Sequence, residues 1–214
     1  MKTLVWTTML ISGLVIANLL QPRTADKPGF SSESGFSHIQ DRVIAYLEMP
    51  DPESSNFNVE LVRIGKQSPE GRQSVISELE QYVERKRFDN RVLGEPQWTA
   101  WVRATDLLTR LKAVESAEFL IRHLECGDGL SDESSHHRPA QHALINLGDP
   151  VIPAIKDALL KNRTPFRLSL VLCLVDIGGL EAKKSLQQVL AMETDPEIRD
   201  VIYYYLHDID WTQR

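Results

Sequence analysis

The chain has 214 residues, 42% of them hydrophobic, enough for one domain with a sizeable core plus an appendage. Its 24 Lys and Arg against 30 Asp and Glu leave a formal charge of -6, which argues against a broad electropositive face for nucleic acid, because phosphate binding runs on Lys and Arg neutralisation. Two cysteines cannot build a disulfide framework, and 11 Gly with 11 Pro excludes collagen-like and low-complexity chains.

Met1-Lys2 is followed by a run from Leu4 to Leu20 that carries no charged residue. A short basic start before an apolar stretch of this length reads as a secretory signal or an N-terminal membrane anchor. Val15 and Ala17 suit cleavage after Ala17, whereas cleavage after Ala25 would place Arg23 at the -3 position. The flanking Lys2, Arg23 and Lys27 do not set an orientation. No cysteine lies nearby to carry a lipid. Pro22 and the Gly/Ser-rich stretch from Pro28 to Ser37 set this segment apart from the rest of the chain, which argues against a buried first helix.

After Ser37 the chain reads as successive amphipathic helices without period-2 strand patterning. Pro69, Pro96, Pro139, Pro150, Pro165 and Pro196 each fall just before an apolar-periodic segment, where the missing N–H is harmless. Ser68, Asp149, Thr164 and Asp195 stand before four of them as expected N-caps, and Ser37 with Gln40 resembles a capping box. Gly65, Gly148 and Gly178 come directly after apolar runs, where a left-handed residue is expected to end a helix. The predicted helices run over about 38–49, 55–64, 69–86, 96–111, 115–125, 139–147, 150–161, 165–177, 180–192 and 196–209.

These helices pair, and the second member of every pair ends in Leu-x-x-(Ile or Leu): Leu61 to Ile64, Leu108 to Leu111, Leu144 to Leu147, Leu174 to Ile177 and Leu206 to Ile209. The tetrads recur at intervals of 30 to 47 residues, the period of an α-solenoid in which each hairpin buries its stripe against the next. The helix at 165–177 has almost no polar face and is expected to be covered on most sides, whereas Val151, Ile155 and Leu159 form a single stripe. A closed helical bundle is the competing architecture.

Residues 139–209 resemble HEAT-type repeats of the short bacterial kind compared with phycobilisome-lyase repeats. The likeness is carried by Ala143 to Pro150 with Ile155 to Leu160, then Arg167 to Gly178 with Leu186 to Leu190, then Asp195 to Arg199. Residues 55–125 fit more loosely, with longer intervals and Lys112 where the Gly would stand. The resemblance implies a curved superhelix that serves as a binding scaffold, and it names no partner.

The stretch Cys126 to Arg138 holds Cys126, Asp128, Asp132, Glu133, His136 and His137, with His142 on the next helix. These are ligand types for zinc, but no Cys-x-x-Cys, His-Glu-x-x-His or calcium-loop spacing occurs, so a solvated loop is the simpler reading. Cys173 reads as a small buried hydrophobe and Cys126 as a candidate exposed thiol; two free thiols are favoured over a Cys126–Cys173 disulfide, for which nothing in the sequence establishes proximity. Trp98 and Trp101, three apart, share a helix face, and Tyr203-Tyr204-Tyr205 precedes Trp211. Core packing plus a terminal cap is expected there, with an exposed partner-binding patch as the alternative. Arg167 and Arg199, each seven residues before a tetrad Leu, are expected to pair with acidic residues between repeats; the alternative is contact with a ligand on the concave face. No nucleophile elbow or phosphate-cradling loop occurs.

The expectation is therefore an all-α chain. Residues 1–25 form a signal peptide or membrane anchor, 26–37 a flexible linker, 38–209 an α-solenoid of about five HEAT-like hairpins, and 210–214 a C-terminal tail. An N-terminal apolar helix precedes the solenoid. The expected function is an exported or membrane-tethered scaffold for a protein partner, with no catalytic residues, cofactor, metal or nucleic acid. A lyase or lyase-accessory protein of the phycobilisome-lyase type and a metal-binding module on the 126–142 loop are the alternatives.

Overall fold

The computed structural model describes residues 38–49, 54–88, 93–126, 138–161 and 165–211. Among them all regular structure is helical. Ten α-helices run in chain order: α1 (Ile39–Glu48), α2 (Ser54–Gln67), α3 (Pro69–Arg85), α4 (Glu95–Arg110), α5 (Ala117–Arg122), α6 (Pro139–Leu147), α7 (Ile152–Leu160), α8 (Arg167–Ile177), α9 (Gly179–Met192) and α10 (Pro196–Asp208). Short 3-10 turns at Val114–Ser116 and Asp149–Val151 lead into α5 and α7. The expected leader, anchor and linker over 1–37, with the cap residues Ser37 and Thr164, lie outside the described residues. No described helix is long and apolar enough to cross a membrane.

Two expected caps form as the sequence implies. The Ser68 hydroxyl accepts from the Gly71 N–H at 2.9 Å with Pro69 in the first turn of α3. The Asp195 carboxylate accepts from the Glu197 and Ile198 N–H groups, at 2.9 and 3.4 Å, at the start of α10. At Pro139 the helix starts as expected, whereas at Pro150 and Pro165 the starts differ. Asp149 and Pro150 lie in a 3-10 turn without a side-chain cap, so α7 begins at Ile152, and Pro165 sits in a bend two residues ahead of α8. The segment predicted as one helix over 115–125 is a 3-10 turn followed by the single short helix α5.

Helix ends correct the glycine reading in three ways. Gly148 and Gly178 do terminate α6 and α8 with positive φ (71° and 74°), but their ψ values of -148° and -162° send the chain off extended rather than into a left-handed turn, a region open essentially to glycine. Gly65 ends nothing: α2 runs on to Gln67, and Gly65 is buried inside it. Lys112 takes a positive φ (51°) where the sequence offers no glycine. The Ala113 N–H donates to Leu108 O and the Lys112 N–H to Thr109 O, both at 2.9 Å, which closes a Schellman motif on α4. Arg87, also at φ 51°, closes the same motif on α3, with Phe88 N–H to Val83 O at 3.4 Å and Arg87 N–H to Glu84 O at 3.1 Å.

The packing is between neighbours. Each second helix lies on the next second helix, α2 on α4, α4 on α6, α6 on α8 and α8 on α10. First helices meet likewise, α1 on α3, α5 on α7 and α7 on α9. In the first half α1 also packs on α4 as well as on α2, so these helices form a tighter group than the regular ladder of the second half. The tetrad leucines Leu61, Leu108, Leu144 and Leu174 are fully buried, each worth roughly 1.5–3 kcal/mol of burial. Leu206, on the last helix, is half-buried, since no further described helix covers it. A single apolar cluster runs from Ile39 to Trp211. Helix α8 is covered by α6, α7, α9 and α10 as its apolar circumference demands, although Leu168 remains 41% exposed.

Candidate functional site

Arginines tie the helices together by reaching the carbonyls that a helix C-terminus leaves without an intrahelical donor. Arg103 on α4 is buried and its Nη1 donates to Tyr46 O at 3.1 Å, Leu47 O at 3.4 Å and Met49 O, closing the end of α1. Arg72 on α3 serves the end of α4, donating to Leu111 O at 3.3 Å and Lys112 O at 2.9 Å while forking onto the Glu115 carboxylate. Burial alone would raise the Glu115 pKa, but the Arg72 hydrogen bond and charge, with a backbone hydrogen bond, hold the carboxyl below its ordinary value. No pattern in the sequence singles out Arg103 or Arg72, because their partners lie about 40–57 residues away.

Arg167 and Arg199 converge on one residue. Arg167 pairs with the Glu193 carboxylate, whose side chain is 1% exposed, and this is the expected acidic contact between consecutive hairpins. Arg199 instead donates to the Glu193 backbone carbonyl at 2.9 Å and to Leu190 O at 3.4 Å, capping α9. The other Glu193 carboxylate oxygen accepts the Thr194 and Asp195 N–H groups at 2.8 and 2.9 Å. This cluster is a structural clasp: Glu193 and Arg167 are largely covered, and Arg199 caps α9 from the exposed side.

Trp101 is fully buried, edge-on to Phe88 and Phe119 at centroid distances of 6.4 and 6.0 Å, whereas Trp98 is half-buried. His123 completes the cluster, its Nδ1 facing the Phe88 carbonyl at 3.2 Å and its Nε2 the Glu84 carboxylate at 3.5 Å. Cys126 is buried and its thiol donates to the same carbonyl, which corrects its reading as an exposed thiol. Cys173 is buried as expected, its thiol pushed up to about 12 by burial and by the nearby Asp176 carboxylate. Both cysteines are thiols, not joined in a disulfide. Asp128, Asp132, Glu133, His136 and His137 lie outside the described residues, and His142 is half-buried on α6. Among the described residues no group of three His, Cys, Asp or Glu side chains could hold a metal ion. The aromatic C-terminus divides: Trp211 is buried, whereas Tyr203 and Tyr204 are each 58% exposed on α10, so core packing holds for the first and not for the other two.

A cavity of about 670 Å³ lies among α1, α3 and α4. At its edge Glu48 pairs with Lys86 at 3.1 Å and accepts the Tyr82 hydroxyl at 3.0 Å; the Lys86 hydrogen bond, then the Tyr82 one, holds the Glu48 carboxyl below its ordinary value. That acid and base satisfy each other. The second helices offer a different surface. Val102 and Asp106 on α4 and His142 and Asn146 on α6 line one open groove of about 220 Å³, and the neighbouring second helices carry exposed apolar side chains, Val59 on α2 and Leu168 on α8. No family model, curated protein or solved structure matches the chain.

Proposed function

We propose that the chain is an exported or membrane-tethered HEAT-like α-solenoid that binds a protein partner through the surface of its second helices and performs no chemistry of its own. The observation that carries this reading is the stacking of second helix on second helix from α2 to α10, with the tetrad leucines at the seams. Such a stack has no closed centre for a substrate and instead offers a long face to another chain. The uncharged run from Leu4 to Leu20 supports the exported or tethered address. The test is cross-linking and affinity capture from envelope extracts with folded protein, alongside N-terminal sequencing of material from fractionated cells. Repeated recovery of a single partner, cross-linked to α4, α6 or α8, is the expected outcome. Recovery of none, or cytosolic protein carrying a bound prosthetic group, would remove the reading.

A further inference from the structure

The third tetrad position is exposed in all five second helices, and its charge changes sign along the stack: Arg63, Arg110, Asn146, Asp176, Asp208. One helical turn earlier, and on the same face, stand Val59, Asp106, His142, Leu172 and Tyr204, of which Val59 and Tyr204 are 71% and 58% exposed. A turn before that, Val102 and Leu168 are 38% and 41% exposed. The face is continuous from α2 to α6, since α4 and α6 share the groove lined by Val102, Asp106, His142 and Asn146, and Asn58 on α2 donates to Asp106 on α4 at 3.1 Å; beyond it α6 packs on α8 and α8 on α10. Arg63 and Arg110 have acidic neighbours one turn back, Glu60 at 3.7 Å and Asp106 at 2.7 Å. Such exposed pairs are weak and exchange readily for another carboxylate. Neither Asp176 nor Asp208 is seen paired with a cation among the described residues.

We infer that this face takes an extended segment of a partner protein that is acidic at one end and basic at the other, with apolar side chains between. Its acidic end lies over α2 and α4 and its basic end over α8 and α10. The apolar side chains meet Val59, Val102, Leu168 and Tyr204, and the sign change fixes the direction in which the segment runs. Helix axes roughly 10 Å apart put about 40 Å between α2 and α10, which an extended chain covers in about 12 residues. The inference rests on the scaffold reading above and adds the chemistry and polarity of the partner.

The probe is a synthetic peptide of about 12 residues with Glu at one end, Leu and Tyr in the middle and Lys at the other, read by fluorescence anisotropy at low salt. A peptide of the same composition with alternating charges is the control. The blocked peptide should bind about tenfold tighter than the alternating one, and R63E/R110E should lose about tenfold of that affinity, since two exposed pairs turn from attraction to repulsion. The variant R63E/R110E/D176K/D208K inverts the whole row and should recover binding, with a photo-cross-linker at the Glu end moving from α2 and α4 to α8 and α10. All four positions are exposed, and circular dichroism checks the fold. If the inverted variant loses helicity, R63Q/R110Q and D176N/D208N should each weaken the blocked peptide severalfold. Equal binding of the two peptides, no binding at millimolar peptide, an indifferent R63E/R110E, or self-association of the protein through this row would overturn the inference. A partner captured on another surface would overturn it while leaving the scaffold reading intact; failure to capture any partner removes both.

Discussion

Gly65 on α2 lies directly against the side chain of Leu111 at the end of α4, so close that a Cβ on Gly65 would stand well inside van der Waals contact distance of Leu111 Cδ2. The missing side chain lets the second helices of the first two hairpins meet. Gly65→Ala should therefore destabilise the protein despite its better helix propensity. Overpacking costs about 1–3 kcal/mol and the propensity gain returns about 1, leaving a net loss of roughly 1 kcal/mol. Leu111→Ala alone opens a cavity and should cost about 2–5 kcal/mol. In the double variant the new methyl occupies part of that cavity, so its loss should fall short of the sum by about 1 kcal/mol in a urea-denaturation cycle. A neutral Gly65→Ala would show that the helices separate freely at this seam.

Arg103 makes a second prediction. It is 7% exposed and holds three carbonyls at the end of α1. Arg103→Met keeps most of the packing volume but leaves those carbonyls without a donor, and should cost about 2–4 kcal/mol, a fall in Tm of roughly 5–15 °C by calorimetry. Arg103→Lys should recover only part of this: the three carbonyls meet at the one nitrogen Nη1, which an ammonium could replace, but an ammonium is more strongly hydrated than a guanidinium and costs more to bury.

Lys112 and Arg87 both hold positive φ at the close of a helix. A side chain there costs about 1–2 kcal/mol, partly offset by the smaller unfolded-state entropy of a non-glycine residue. Lys112→Gly should accordingly raise stability by about 0.5–1 kcal/mol, and Lys112→Ala should leave it nearly unchanged, since alanine meets the same backbone penalty. A shift in urea midpoint without a change in slope is the measurement.

These residues show where the sequence is legible and where it is not. Helical type and order can be read because periodicity is local: Val151, Ile155 and Leu159 recur at helical spacing and are buried together. Ser68 and Asp195 act within three residues of themselves, so their caps are visible. Gly65 misleads because a glycine after an apolar run looks the same whether it ends a helix or admits a neighbour 46 residues on, and only the tertiary contact decides. Lys112 gives no sign in the sequence because its backbone conformation is usually marked by glycine. Of the candidate site residues, Arg167 is legible from its repeat position. Cys126 is not, because its burial depends on Phe88 in another hairpin. The sign change from Arg63 to Asp208 is plain in the tetrads, but its relevance depends on all five positions facing solvent, which only packing can establish.

Tyr46 gives the protein an alkaline limit. Its hydroxyl accepts from Asn58 Nδ2 at 3.1 Å and donates to Arg103 O at 3.4 Å, and burial, with the nearby Asp106 charge, pushes its pKa up to about 12. The folded value lies above the unfolded one of about 10, so the stability it contributes is complete below pH 10 and is lost as pH rises from 10 through 12. By pH 11 the loss should be on the order of 1 kcal/mol. Tyr82 is raised in the same direction by burial and by Glu48, and adds to it. Tyr46→Phe should begin lower at pH 8, having lost its hydrogen bonds, and then show a flatter decline between pH 10 and 12. An unchanged slope would assign the alkaline transition to other groups.

Glu193 and Arg167 make the last seam. Glu193 stands between α9 and α10 yet pairs with a side chain at the start of α8, so the final hairpin is clasped to the one before it by a buried charge. Removing one partner leaves the other charge buried, and Glu193→Ala should cost about 3–5 kcal/mol. Glu193→Gln keeps an oxygen for the Thr194 and Asp195 N–H groups but loses the charge, and should fall between alanine and wild type. The double variant Arg167→Met/Glu193→Leu removes both charges and should be less destabilised than Glu193→Ala, because desolvation of an ion pair offsets much of its attraction. Amide exchange locates the effect. In Glu193→Ala, protection should drop first in α9 and α10 while α4 and α6 stay close to wild type, since each hairpin leans mainly on its neighbour. A uniform loss of protection would mean that the stack opens as one unit and that this clasp holds no separate end.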